Sequence, residues 1–181
     1  MRRALAVALM WFVFGVAAQA EERLVPSWMT VDAGAKKVMM DIIAGYNPNN
    51  NNWNFNGYYE GSLTVVVPEG WKVEITFKNR DANYPHSLVV IEDPGNPDDY
   101  PEKAGREDVA IKRAYSKSPT EGIFGSDKDT IRFKAAPAGD YLFYCGVPAH
   151  GLSGMWVYFK ISAEAESPYV TIAEGADEGR V

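Results

Sequence analysis

Tyr144-Cys145-Gly146-Val147-Pro148-Ala149-His150-Gly151-Leu152-Ser153-Gly154-Met155 sets a thiol, an imidazole and a thioether on one short loop, in the pattern Cys-x4-His-x4-Met. Cys145 is the only cysteine in 181 residues, and His150 is one of two histidines. Soft sulfur ligands combined with imidazole suit copper, and a redox copper site takes two His and one Cys in a trigonal plane with a weak axial Met. The loop offers three of those four ligands. The one other histidine, His86, lies 59 residues before Cys145 at the head of an apolar run. Zinc competes for Cys and His, but it favours closed sets of thiolate or harder ligands over a thioether.

The chain on either side of this loop reads as strands. Tyr141-Leu142-Phe143-Tyr144-Cys145 leads in after the turn Ala138-Gly139-Asp140, and Met155 to Ile161 leads out. Trp71-Lys72-Val73-Glu74-Ile75-Thr76-Phe77-Lys78 and Thr130-Ile131-Arg132-Phe133-Lys134 alternate apolar and polar residues, as half-buried strands do. Leu63 to Val67, Lys37 to Ile43, Ser87 to Ile91 and Tyr169 to Ile172 complete the set. No stretch after residue 20 carries a long helical period. Short strands separated by turn signals predict an all-β antiparallel sandwich or barrel in a single domain. Residues two apart on a strand share a face. Cys145 is thus in phase with Tyr141 and Phe143, Met155 with Val157, Phe159 and Ile161, and His86 with Leu88 and Val90. All three face an apolar layer, as a site at one end of a sandwich core requires.

Two segments read as loops. The tract from Asn47 to Asn52 is expected to be a solvated surface turn, the alternative being a rim that packs near the site through Trp53 or Phe55. Asp93 to Lys128 is rich in Pro, Gly and charge and longer than most connections, so it reads as a surface excursion with room for a short helix near Lys103 to Tyr115.

The N-terminus reads as an address. Arg2 and Arg3 precede an apolar stretch from Ala4 to Ala18, and Ala18-Gln19-Ala20 is a small-x-small cleavage site ahead of Glu21. The apolar stretch is shorter than the roughly 20 residues that span a bilayer. A signal peptide over 1–20, cleaved after Ala20, is expected rather than an anchor, leaving a mature domain over 21–181 in the periplasm or outside the cell. Removing two arginines and no acids takes the net charge from −6 to −8, which argues against a nucleic-acid partner. Exported proteins use cysteines in disulfide pairs, so a lone cysteine calls for another explanation, and a metal is one.

The whole mature chain resembles the cupredoxins, the small blue copper proteins with a plastocyanin-like domain. Within them it most resembles sulfocyanin, with rusticyanin second. The resemblance rests on Asn54-Phe55-Asn56-Gly57-Tyr58, Val67-Pro68-Glu69-Gly70-Trp71-Lys72-Val73, Tyr84-Pro85-His86-Ser87, and Cys145-Gly146-Val147-Pro148-Ala149-His150 with Met155. It implies a Greek-key β-sandwich and one type 1 copper per chain, with His86, Cys145 and His150 as strong ligands and Met155 as the axial one. It also implies an electron carrier rather than an enzyme, shuttling between respiratory partners such as a cytochrome or a terminal oxidase, and a monomer by default. Two positions depart from the family pattern. Ala149 stands where sulfocyanins usually have Gly, and alanine would be strained there if the backbone needs a positive φ. Ser87 stands where many cupredoxins have an Asn that ties the two ligand loops together.

Four functions compete on these residues. A one-electron carrier would exchange electrons through the His150 edge, amid an apolar patch of Val147, Pro148, Ala149 and Leu152. A copper-delivery or storage protein is the alternative, but such proteins use Met-rich or multi-His surfaces absent from this sequence. A copper enzyme would need further histidines, and both are already used. A plain scaffold would leave Cys145, His150 and Met155 unexplained.

Overall fold

The structure is a computed structural model that describes residues 22–125 and 127–176. The segment 1–20, read above as an export signal, lies outside the described residues. Among the described residues nine strands are defined: β1 (Met29–Asp32), β2 (Lys37–Ala44), β3 (Leu63–Pro68), β4 (Lys72–Asn79), β5 (Val89–Glu92), β6 (Lys128–Lys134), β7 (Gly139–Tyr144), β8 (Trp156–Ser162) and β9 (Tyr169–Ile172). One sheet runs β1-β2-β4-β6 and the other β5-β7-β8-β3-β9. The interleaved chain order is that of a Greek-key sandwich. Among the described residues no helix is long and apolar enough to cross a membrane.

Every strand expected from the sequence is present. β1 is an addition, a four-residue edge strand too short to show a clear alternation. The expectation of a purely antiparallel sandwich needs correction. β2 and β4 run parallel, with Lys37 opposite Lys72 and Ala44 opposite Asn79, and β3 and β8 are also parallel. The cause is the crossover of β3 into the other sheet, which lets the strands before and after it return in the same direction.

The alternation of β4 is realised side by side: Val73, Ile75 and Phe77 are buried, while Lys72 is exposed and Glu74, Thr76 and Lys78 are half-buried. On the outer face Glu74 bridges Lys37 at 3.1 Å and Arg132 at 3.0 Å. Such solvated pairs contribute little. Inside, Phe143 stacks on Phe159 with centroids 4.4 Å apart, and Phe133 meets Phe159 edge-on at 6.0 Å. Each such side chain contributes about 1.5–3 kcal/mol by leaving water.

In the sheet containing β5 and β7, Val89 to Ile91 and Tyr141 to Tyr144 are buried on both faces, which is why these strands read as continuous apolar runs. Its outer face carries Val89, Ile91, Leu142, Tyr144 and Trp156, covered by Tyr100 and Ala104 from the 93–128 segment. That segment is therefore a packed cover rather than a surface excursion. It holds two 3-10 turns, Pro97–Asp99 and Arg106–Asp108, and no α-helix near 103–115.

Candidate metal centre

His86, Cys145 and His150 converge at one end of the sandwich, and their donor atoms all lie within 4.8 Å of one another. Among the described residues no other His, Cys, Asp or Glu cluster has this property. His86 Nδ1 is 3.2 Å from His150 Nδ1, and Cys145 Sγ is 3.6 Å from His150 Nδ1. Bonds of about 2.0–2.3 Å to nitrogen and sulfur, arranged in a trigonal plane, would place donors roughly 3.5 Å apart. The cluster therefore fits a trigonal His2Cys set for a copper-type ion.

Each donor is held by local structure. Cys145 directly follows β7, and its amide donates to the Met155 carbonyl at 3.1 Å. The Met155 amide in turn donates to the His150 carbonyl at 3.0 Å, so the loop closes on itself and delivers Met155 to the start of β8. Met155 is fully buried in the same apolar cluster as Cys145, Phe143, Val157 and Phe159, as the strand phase requires. His86 precedes β5 and pairs with Ile123, each amide donating to the other's carbonyl. Gly122 has φ +72°, and a Cβ there would lie 2.8 Å from the His86 nitrogen, so only glycine allows this close approach.

Ser87 does tie the two ligand segments. Its hydroxyl accepts from the Gly146 amide at 2.9 Å, and its own amide donates to Cys145 Sγ at 3.5 Å. Ala149 has φ +67°, so the strain anticipated from its alanine is present. Its amide donates to the Glu102 carbonyl at 2.8 Å, which anchors the loop to the 93–128 segment.

The asparagine tract is not a solvated turn; the alternative reading, a rim against the site, is the one found. Trp53 stacks on His150 with centroids 4.4 Å apart and an interplanar angle of 20°. Asn50, Asn51 and Asn52 all take positive φ, which asparagine tolerates better than most residues. Asn50 Nδ2 donates to the Ser153 carbonyl at 2.8 Å, binding the tract to the ligand loop. Asn50, Ile123 and Glu102 escaped the sequence reading because their roles come from contacts far apart along the chain, and Trp53 entered it only as the alternative to a solvated turn. A Trp beside an Asn run was the one available signal.

Burial sets the protonation of the metal-free site. It pushes the Cys145 thiol up to about 11, against hydrogen bonds from the Ser87 and Val147 backbone that act to lower it. Burial, with His86 nearby, brings His150 down to about 4, and burial also lowers His86 against the opposing pull of Asp81. The metal-free site is thus a thiol and two neutral imidazoles, and a metal ion would displace the thiol proton. Both histidines take up a proton more readily unfolded than folded. The metal-free protein should therefore keep its stability above about pH 6.5 and lose it as the pH falls toward 4. Urea unfolding at pH 7 and pH 4.5 should differ by about 2 kcal/mol from His150 alone. Equal midpoints would contradict this burial.

A family model for the sulfocyanin (SoxE) domain matches residues 26–172. Sulfocyanin from Sulfolobus acidocaldarius is 31% identical over 139 residues, covering 76% of this chain and 69% of that protein. Rusticyanin from Acidithiobacillus ferrooxidans is 27% identical over 93 residues, covering 51% of this chain and 56% of that protein. A solved structure of a rusticyanin variant covers 70% of this chain and 78% of its own, at 18% identity and a TM-score of 0.51, and so supports the sandwich alone.

Proposed function

The chain belongs to the sulfocyanin family of cupredoxins, and from that premise we propose that it is a blue copper electron carrier. One copper would be held by His86 Nδ1, Cys145 Sγ and His150 Nδ1, with Met155 as the axial ligand. The observation that carries this reading is the approach of those three donors in a buried pocket. Bound there, copper would supply one-electron redox chemistry, with the thiolate giving covalency and the thioether tuning the potential. The protein's part is to hold both imidazoles neutral, keep water away and resist rearrangement between oxidation states. The stack of Trp53 on His150, the Ser87 link and the brace of Ile123 on His86 all act in that direction.

Partners would dock at this end. Leu152, Tyr84 and Phe124 are exposed there, and Pro148 and Ala149 lie beside them, whereas Val147 is buried. A patch this small suits the brief contacts of electron-transfer encounters. The partners we propose are redox proteins, a cytochrome or a terminal oxidase, met by a monomer in the periplasm or at the outer face of the cytoplasmic membrane. Residues 1–20 would direct export and be cleaved after Ala20, leaving one domain over 21–181; the N-terminal sequence of the secreted protein checks this.

Voltammetry of the copper-loaded protein tests the carrier reading. A reversible one-electron wave with the metal retained over many cycles is expected. Loss of copper on reduction would favour the delivery alternative. Met155→Leu should keep the wave and shift it to higher potential, because it removes a weak donor that favours the oxidised ion. An unchanged potential would show that Met155 is not axial.

A further inference from the structure

Asp81 is a buried carboxylate that the sequence reading did not single out. Its Oδ2 lies 3.2 Å from His86 Nε2, and the two side chains are 1% and 0% exposed. Its Oδ1 accepts from the amides of Asn83 at 2.8 Å and Tyr84 at 3.3 Å. The Asp81 amide donates to Asn79 Oδ1 at 2.8 Å, and Asn79 Nδ2 donates to the carbonyls of Tyr84 and Ile123. The turn between β4 and His86 is therefore bonded to itself, with the carboxylate at its centre. Gly45, at φ +62°, seals it from the β2 side, since a Cβ there would sit 2.8 Å from Asp81 Cβ.

Two features of this arrangement need a cause. A carboxylate only accepts hydrogen bonds, so the His86 proton sits on Nε2 and the bare Nδ1 faces His150 and Cys145. A buried carboxylate is also costly without a positive charge. Among the described residues the one ion-pair contact of Asp81 is His86, and Arg80 turns away to lie over the Tyr46 ring. A positive ion held at His86 Nδ1, on the far side of the imidazole, would supply a counter-charge.

We propose that Asp81 is a positioning residue for the copper centre, aiming His86 Nδ1 at the metal and supplying a buried negative charge that favours the oxidised state. This rests on the copper reading above. With a divalent ion, the Cys145 thiolate and the Asp81 carboxylate cancel the ion's charge; after one-electron reduction the same set carries one net negative charge. Low-dielectric surroundings favour the neutral set. Removing the Asp81 charge reverses that preference.

Asp81→Asn separates charge from shape, since the amide oxygen still accepts from Nε2. Partners of this kind are worth about 10–100-fold in metal affinity. In competition titrations the variant should bind Cu(II) about 10–100-fold more weakly while Cu(I) affinity moves far less. The potential should rise by about 60 mV for each tenfold change in that ratio, and the blue colour should persist. Nitrogen-15 NMR of the metal-free wild type should show His86 protonated on Nε2, a readout independent of copper. A potential unchanged in Asp81→Asn, or a His86 proton on Nδ1, would overturn the proposal. A wild-type protein with no blue colour would instead overturn the copper reading, leaving the NMR result to judge the positioning role.

Discussion

Cys145→Ser is expected to abolish the intense thiolate-to-copper absorption completely and to widen the copper hyperfine splitting from the narrow type 1 value to an ordinary one. The reason is the donor. A hydroxyl at this position is neutral at working pH and cannot supply the covalency of a thiolate. The loss in Cu(II) affinity should exceed the 10–100-fold that outer partners cost, because a direct ligand is removed. The fold should survive, since serine is close in size and the Ser87 amide 3.5 Å from the sulfur can still donate to an oxygen. Circular dichroism matching wild type beside a colourless copper-loaded sample is the expected pair of results. A variant that stays blue would place the copper elsewhere.

Gly151→Ala should give the largest loss of stability on the ligand loop. A Cβ at Gly151 would stand 1.8 Å from Cζ of Tyr144 and 2.1 Å from its hydroxyl oxygen. Tyr144 is fully buried and its hydroxyl donates to the Pro101 carbonyl, so the ring has nowhere to go. Overpacking of this kind costs about 1–3 kcal/mol and sometimes more. We expect about 3 kcal/mol, a fall of about 6–12 °C in Tm for a chain of this size. Because Gly151 adjoins His150, the copper hyperfine splitting should change as well. Gly95→Ala is the control: nothing lies within 4 Å of a Cβ there, and only its φ of +78° is strained. It should cost about 1 kcal/mol and leave the spectrum alone. Equal losses in the two variants would contradict the packing around Tyr144.

The parts of the fold legible in the sequence were those encoded locally. The alternation of Trp71 to Lys78 carries the half-buried β4 in its own residues, and the phases of Cys145, Met155 and His86 fixed which way their strands face. The grouping of His86, Cys145 and His150 was legible because cysteine and histidine are scarce in this chain, so few combinations were open. The parallel pairing of β2 with β4 was not legible, because it follows from the passage of β3 to the other sheet. The cover formed by 93–128 was hidden by its polar composition, although the double-sided apolar runs of β5 and β7 already required something over their outer face. Trp53 was read only as the alternative to a solvated turn and Asp81 was not read at all, for different reasons. Trp53 reaches His150 across nearly a hundred residues of chain. Asp81 sits only five residues before His86, but its aspartate looks like any turn residue until its burial is known.

Copper(II) titrated into the mature protein, followed by visible absorption and EPR together, tests the central claim most directly. One equivalent should produce an intense charge-transfer band and a narrow hyperfine splitting, with no further change beyond one equivalent. A colourless protein, or a copper signal with ordinary wide splitting, would contradict the assignment of His86, Cys145, His150 and Met155 to a single type 1 centre.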